Sequence, residues 1–245
     1  MTEKLYWKDQ RMREFSAVVL KSGEDGVVLD RTAFYPRGGG QPADTGLLKQ
    51  NGSTFSVENV EKKGDEVIYV LSDGELPNTG ETVQGAIDWG RRYSHMRYHT
   101  AIHILDGIVT QRHNDEGTLT GGQIYQDRAR IDFDMSDLSR EKVRELIDEA
   151  NEVIGSGLKV YSKEISSDEA LSIPNISRTL PGRELLEKLE SIRIVVIEGL
   201  DEQADGGTHV SNTTEVGKIV FSKLQSKGKR NKRLEFVLED DNPHG

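Results

Sequence analysis

At 245 residues the chain is long enough for one large domain or two smaller ones, each with its own core. Charged residues make up 30% and hydrophobic ones 34%, the balance of a soluble globular protein, and no apolar stretch is long enough to span a bilayer. The absence of cysteine excludes a disulfide framework and leaves only His, Asp or Glu to hold a metal, while a formal net charge of −10 argues against a general, non-specific grip on nucleic acid.

The N-terminus has no basic region followed by an apolar core, so no secretory signal is expected and a cytoplasmic protein is. The first part reads as β. Phe15 to Leu20 is apolar and β-branched, Gly23-Glu24-Asp25-Gly26 is a turn signal, and Val27-Val28-Leu29 follows. The stretch Phe34 to Pro42 is too rich in Gly and Pro for a helix or a strand interior. Phe55 to Val60, Glu66 to Leu71 and Val83 to Trp89 read as further short strands, with a tight turn at Gly64-Asp65. Residues 1–89 are therefore expected to form a small β-barrel or sandwich.

The pattern changes near Trp89-Gly90. Met96, Ala101, Ile102, Leu105 and Ile108 recur at helical spacing within Tyr93 to Val109. Leu119 to Phe133 reads as a hairpin. Ser139 is placed to cap a helix whose apolar stripe runs from Val143 to Ile154 and ends at Gly155-Ser156-Gly157. A strand over Leu158 to Ile165 and short helices over Ser166 to Leu171 and Glu184 to Leu189 follow. Ile192 to Ile197 is nearly continuously apolar and predicts a buried central strand. Ile219 to Leu224 and Leu234 to Leu238 close the chain as a hairpin. The fold class is α+β, with a second domain over residues 90–245.

His99 and His103 stand at i and i+4, so on a helix both imidazoles share one face and can reach one ion. Zinc proteases use this spacing with Glu directly after the first His; here that position is Thr100, which disfavours a protease. Two such histidines alone are more often ordinary core or surface residues than a metal site. Downstream of the apolar strand lies a glycine-containing loop with two more donors, Asp205 and His209. If it faces the helix, three imidazoles and one carboxylate make a tetrahedral zinc sphere; otherwise it is a surface turn closed by Asp205. Between Val216 and Leu234 there is no acidic residue, while Lys218, Lys223, Lys227, Lys229, Arg230, Lys232 and Arg233 are basic. Such a segment is either a phosphate contact or a solvated hairpin.

His99-x-x-x-His103 followed by Gly206-Gly207-Thr208-His209-Val210 resembles the editing domain of alanyl-tRNA synthetases and its free-standing relatives, the AlaX proteins. The match extends to Tyr35-Pro36-x-Gly38-Gly39-Gly40-Gln41-Pro42-x-Asp44-x-Gly46, to Arg130-Ile131-Asp132-Phe133 and to Asn212-Thr213-x-Glu215-Val216-Gly217, in the family's order. The length is that of the medium class, an N-terminal β-barrel followed by an editing domain of the threonyl/alanyl-tRNA synthetase type. One position departs: the family usually has Cys where this chain has Asp205, a harder and less thiophilic ligand.

The resemblance implies one zinc ion per chain on His99, His103, Asp205 and His209. It implies a metal-dependent deacylase that hydrolyses serine, and also glycine, from the acceptor end of tRNA(Ala) and spares alanine. Thr120, Gln123 and Thr208 are the candidate contacts to the seryl hydroxyl or adenosine, with Thr100 a further hydroxyl near the metal. Gly39, Gly40, Gln41, Arg91, Arg92, Lys227, Lys229, Arg230, Lys232 and Arg233 are the candidate tRNA contacts, with Arg97 beside them. The alternative is a non-catalytic tRNA-binding module with a structural metal.

Overall fold

The computed structural model describes residues 1–72, 74–112, 117–174, 176, 177, 186 and 188–239. Two compact units divide the chain, Met1–His95 and Met96–Gly245. The first opens with β1 (Glu3–Lys4), the single-turn helix α1 (Leu5–Lys8), β2 (Glu14–Gly23), β3 (Gly26–Leu29) and β4 (Arg31–Thr32). It continues with β5 (Gly46–Gln50), β6 (Ser53–Lys63), β7 (Glu66–Leu71) and β8 (Thr82–Ile87). Strands β2-β3-β7-β6-β5-β8 close into a barrel, and β1 pairs in parallel with β4. Strict alternation fills it: Phe15, Ala17 and Val19 of β2 point inward beside Leu48, Phe55, Val57, Tyr69 and Val83. Strand β5 was not expected. It follows the Gly/Pro stretch directly, and Gly46-Leu47-Leu48-Lys49-Gln50 carries little β-branched signal.

The Gly/Pro stretch folds as a tight turn. Gly38 and Gln41 exchange backbone hydrogen bonds of 2.9 and 3.1 Å, and Gly39 and Gly40 between them both have positive φ, 56° and 84°. That is the conformation of a two-residue primed turn, which only residues tolerant of positive φ adopt. Tyr35 braces the turn by donating its hydroxyl to the Gly38 carbonyl at 3.0 Å.

Helix α2 (Trp89–Arg112) follows, and the boundary between the units falls inside it. Beyond it come β9 (Gly117–Ile124), β10 (Ala129–Met135), α3 (Arg140–Ser156), β11 (Val160–Ser166) and α4 (Ser167–Ser172). Then follow β12 (Ser191–Ile197), β13 (Asp201–Ala204), a short 3-10 helix (Thr213–Val216), β14 (Lys218–Ser226) and β15 (Asn231–Glu239). The strands form a four-stranded antiparallel sheet, β14-β15-β10-β9, and a three-stranded one, β11-β12-β13. The caps stand where the sequence places them: Ser139 Oγ accepts from Lys142 N–H, and Gly157 closes α3 in the left-handed region. The apolar run at 192–197 is the central strand of its sheet, as its composition predicts. Half of the helix expected over Glu184 to Leu189 lies outside the described residues.

The motif at 212–217 is a structural joint. Asn212 and Glu215 form a capping box on the 3-10 helix, and Thr213 Oγ1 donates toward the last carbonyls of α3 at Val153 and Ile154. Gly217 leaves room for Arg97, whose Nε donates to the Val216 carbonyl at 2.9 Å. Arg97 is thus tied through its Nε to the loop before β14.

Candidate metal centre

Helix α2 presents His99, His103, Asp106 and Thr110 at i, i+4, i+7 and i+11, which is one face. Strand β13 presents Asp201 and Gln203 at alternate positions, and Asp205 continues the alternation just beyond it. Their cross-strand partners on β12 are Ile197 and Val195, so this face of β13 is set by the register of the central strand. The opposite face carries Ile194, Val196 and Ala204 into an apolar cluster with Ile165 and Leu186. Gly107 lets helix and strand approach, because a Cβ there would lie 3.0–3.1 Å from Leu200 and from the Cβ of Asp201. The sequence suggested a loop from Glu198 to Val210; the structure places β13 inside it. Its residues Asp-Glu-Gln-Ala lack β-branching, but the period-2 spacing of Asp201, Gln203 and Asp205 was a readable signal.

The helix and the segment after β13 bring His99, His103, Asp205 and His209 together, with ligand atoms all within 4.8 Å of one another. Asp205 Oδ2 lies 2.9 Å from His209 Nε2, and Asp205 Oδ1 lies 3.7 Å from His99 Nε2. Four donors at zinc–ligand distances around a tetrahedral ion stand about 3.3 Å apart, so the set is close to that spacing. The three imidazoles are buried, whereas the Asp205 side chain is 16% exposed, so solvent reaches the centre from the Asp205 side.

Neighbours fix the proton positions on two rings. The Thr100 hydroxyl donates to the Met96 carbonyl at 3.0 Å, so it only accepts from Val210 N–H at 3.3 Å and from His209 Nδ1–H at 3.2 Å. That leaves His209 Nε2 bare and turned to Asp205. Asp201 Oδ2 lies 2.9 Å from His103 Nδ1, which must therefore carry the proton, leaving its Nε2 bare as well. Thr100 is thus spent on orientation and is not a substrate contact.

Electrostatics agree with a cation-binding set. Burial lowers the His99 pKa to about 4, against a smaller opposing pull from Asp205. Burial, then His99, likewise keep His209 well below the ordinary range. Burial also opposes charge on His103, but the hydrogen bond and charge of Asp201, with Asp205 and Asp106, outweigh it and raise its pKa. Burial disfavours the Asp205 carboxylate, yet His99, His209 and His103 around it hold its pKa well below the usual value. Asp106, Asp201 and Asp205 set against Arg193, whose Nη1 donates to the Asp205 carbonyl at 2.7 Å, leave two formal negative charges for a divalent ion to balance. The residues present fit zinc or a similar ion.

A pH dependence of the metal-free protein follows. His99 titrates near 6.5 when unfolded and near 4 when folded, so between those values the unfolded chain holds more protons. The stability His99 contributes is complete above pH 6.5 and is lost as pH falls toward 4, about 3 kcal/mol in all. His209 acts in the same direction and His103 in the opposite one. Urea unfolding in chelator at pH 7 and at pH 4.5 is expected to show the loss. His99→Gln is expected to flatten that part of the profile, and an unchanged profile in the variant would refute this assignment.

The other candidate site residues are dispersed. Thr120 is the extra residue of a β-bulge in β9, exposed, with its hydroxyl donating to the Asp132 carbonyl at 3.1 Å. Gln123 lies further along β9 and donates to the Ile124 carbonyl. Between them a Cβ on Gly122 would lie 3.4 Å from Ile102, the neighbour of His103, so β9 runs beside the ligand helix. Thr208 is fully buried next to His209 and presents no surface to a substrate. Gln41 and Arg92 are also fully buried. Arg92 donates to Asp44, to the Gln10 carbonyl at 3.0 Å and to the Ala33 carbonyl at 2.7 Å, so it cannot meet a phosphate. Arg91 donates to the Ala43 carbonyl at 3.0 Å and is half-buried. Gly39 is the exposed tip of its turn, and Gly40 is half-buried. In the basic hairpin, Arg233 and Arg230 pair with Asp132 and Asp134 at 2.6 Å, and Lys232 donates to Ser226. Lys227 and Lys229 are exposed. Asp106, Asp201, Gln203 and Arg193 are the residues around the centre that sequence reasoning missed.

Residues 4–91 match the family model of class II (A) tRNA synthetases, and residues 192–235 match that of the threonyl and alanyl tRNA synthetase second additional domain. The fold and the four-ligand cluster thus define a synthetase-type additional domain joined to a β-barrel unit. The AlaX-M alanyl-tRNA editing protein of Methanosarcina acetivorans is 41% identical, over 98% of this chain and all of that protein. That of Saccharolobus solfataricus is 40% identical over the same shares. An alanine–tRNA ligase of Thermococcus kodakarensis is 40% identical over 89% of this chain but only 24% of its own length. The chain belongs to the AlaX-M family of alanyl-tRNA editing proteins. Among the described residues, no helix is long and apolar enough to cross a membrane.

Proposed function

We propose that this protein is a cytoplasmic, metal-dependent aminoacyl-tRNA deacylase. It hydrolyses the ester of Ser-tRNA(Ala), and that of Gly-tRNA(Ala), and spares Ala-tRNA(Ala). The observation that carries the reading is the convergence of His99, His103, Asp205 and His209 in a chain full-length similar to alanyl-tRNA editing proteins. The two domains are assigned as residues 1–89 and 90–245.

His99, His103, His209 and Asp205 would hold one zinc ion. When bound, the ion supplies a Lewis acid at the ester and its water. The chain's own residues orient the rest. Thr100 and Asp201 fix the His209 and His103 rings. The exposed side of Asp205 is the approach for the aminoacyl end. Thr120, aimed by its bulge, and Gln123 are the contacts assigned to the seryl hydroxyl; bulges commonly re-aim a side chain beside an active site. A site built to hydrogen-bond that hydroxyl leaves its own polar groups unpaired when alanine enters, and also when glycine enters, so it favours serine over both, a discrimination that a synthesis pocket facing one extra hydroxyl lacks. Lys227, Lys229, Arg230 and Lys232, with the Gly39-Gly40 tip, are the assigned tRNA contacts; the exposed lysines act on phosphates.

The test is hydrolysis of Ser-tRNA(Ala), Gly-tRNA(Ala) and Ala-tRNA(Ala), with metal content measured on the same preparation. Rapid loss of serine, slower loss of glycine and retention of alanine are expected, with activity abolished by chelation and restored by zinc. Hydrolysis of none of them by protein holding stoichiometric metal and still binding tRNA would make it a binding module instead.

A further inference from the structure

Two buried carboxylates lie behind the ligand set, and neither belongs to it. Asp106 is 2% and Asp201 6% exposed. Like charges buried together are costly unless fully hydrogen-bonded. One amide relieves both: Gln203 Nε2 lies 2.7 Å from Asp106 Oδ2 and 2.8 Å from Asp201 Oδ2. An amide nitrogen has two protons, one for each carboxylate, and the opposite orientation would face an oxygen to two anions. The side chain of Gln203 is therefore fixed. Asp201 Oδ2 in turn accepts from both Gln203 and His103 Nδ1.

We propose that Asp201 is a positioning residue of the metal centre, locked by a carboxylate–amide–carboxylate bridge through Gln203 to Asp106. The bridge joins helix to strand: His103 and Asp106 come from one face of α2, Asp201 and Gln203 from one face of β13, closely apposed at Gly107. Swinging the His103 ring away from the ligand set breaks the bond to Asp201. Swinging Asp201 breaks the bond to Gln203. The buried charge also makes the imidazole a stronger donor to a cation. Asp106, Asp201 and Gln203 all lie outside the four-residue cluster that would hold the ion.

This inference rests on the metal-centre reading above, so its test reads metal binding and not hydrolysis. Zinc affinity is measured by competition with a chromophoric chelator for the full chain and for Asp201→Ala, Asp201→Asn and Gln203→Met. The visible absorption of the cobalt-loaded forms is recorded alongside. Asp201→Ala is expected to weaken binding about 10–100-fold and to change the cobalt bands, since loss of an outer partner of a ligating His costs about that much. Asp201→Asn keeps an oxygen acceptor without the charge, and is expected to weaken binding less and to keep the wild-type bands. Gln203→Met is expected to weaken binding several-fold. Wild-type affinity and spectrum in Asp201→Ala would overturn the proposal. If that variant does not fold, wild-type affinity in both of the others overturns it. Failure of the wild-type chain to bind metal would defeat the metal-centre reading as well, whereas a metal-binding wild type with indifferent variants removes this inference alone.

Discussion

Asp44→Asn is expected to destabilise the Met1–His95 unit by about 3–5 kcal/mol, the cost of breaking a buried ion pair from one side. Asp44 and Arg92 are both fully buried. Arg92 Nε lies 3.0 Å from each Asp44 oxygen, and Nη2 donates to Oδ2 as well. Asp44 Oδ2 also accepts from Tyr35 N–H at 2.6 Å, and Asp44 N–H donates back to the Tyr35 carbonyl at 3.0 Å. The carboxylate thus ties the two ends of the glycine turn together while neutralising a guanidinium that has no route to water. Asparagine keeps the shape and leaves the charge uncompensated. Replacing both partners, with Asp44→Leu and Arg92→Met, is expected to cost less than the single change, because no orphaned charge remains. Denaturant unfolding of the three variants measures this. A loss below about 1 kcal/mol for Asp44→Asn would mean that the pair is as weak as an exposed one.

That pair marks where sequence reading stops. Arg91-Arg92 beside a domain junction reads equally as a phosphate contact or as solvated charge, and Gln41 in a glycine loop reads as a contact to the acceptor end. The burial of Arg92 depends on a partner far along the chain, Asp44, 48 residues away. No local pattern carries that information. Apolar, β-branched runs between turn residues, by contrast, mark β2, β3, β6, β7 and β8 of the barrel, and in β2, β7 and β8 the buried set falls at every second residue. The ligand set was legible for a related reason. Helical spacing joins His99 to His103, and the four-residue step from Asp205 to His209 lies just past an unmistakable central strand. What apolar composition does not supply is the polar strand β13, which only the period-2 spacing of Asp201, Gln203 and Asp205 marks. Asp201 and Gln203 face the charged side of α2 and not an apolar core, so the strand lacks the composition by which strands are recognised.

Asp205→Ala is expected to weaken zinc binding by more than the factor of about 10–100 that an outer partner is worth, and to abolish deacylation with it. Asp205→Cys is expected to bind zinc at least as tightly as the wild type and to lose preference for harder ions such as manganese, because a thiolate is softer than a carboxylate. The site accepts the change sterically: the side chain is partly exposed, and Gly207 N–H, which donates to Oδ2 at 2.8 Å, can turn toward sulfur. What cysteine does not replace is the second oxygen. One Asp205 oxygen faces His99 while the other accepts from Gly207 N–H and faces the bare Nε2 of His209, so the carboxylate both contributes to the ligand set and closes its own loop. Zinc and manganese titrations against a competing chelator, followed by serine release from Ser-tRNA(Ala), separate the two roles. If Asp205→Cys recovers zinc affinity and activity together, ligation is all that Asp205 provides. If it recovers affinity but not activity, the second oxygen has a part in the reaction. Wild-type affinity in Asp205→Ala would reduce the centre to its three histidines.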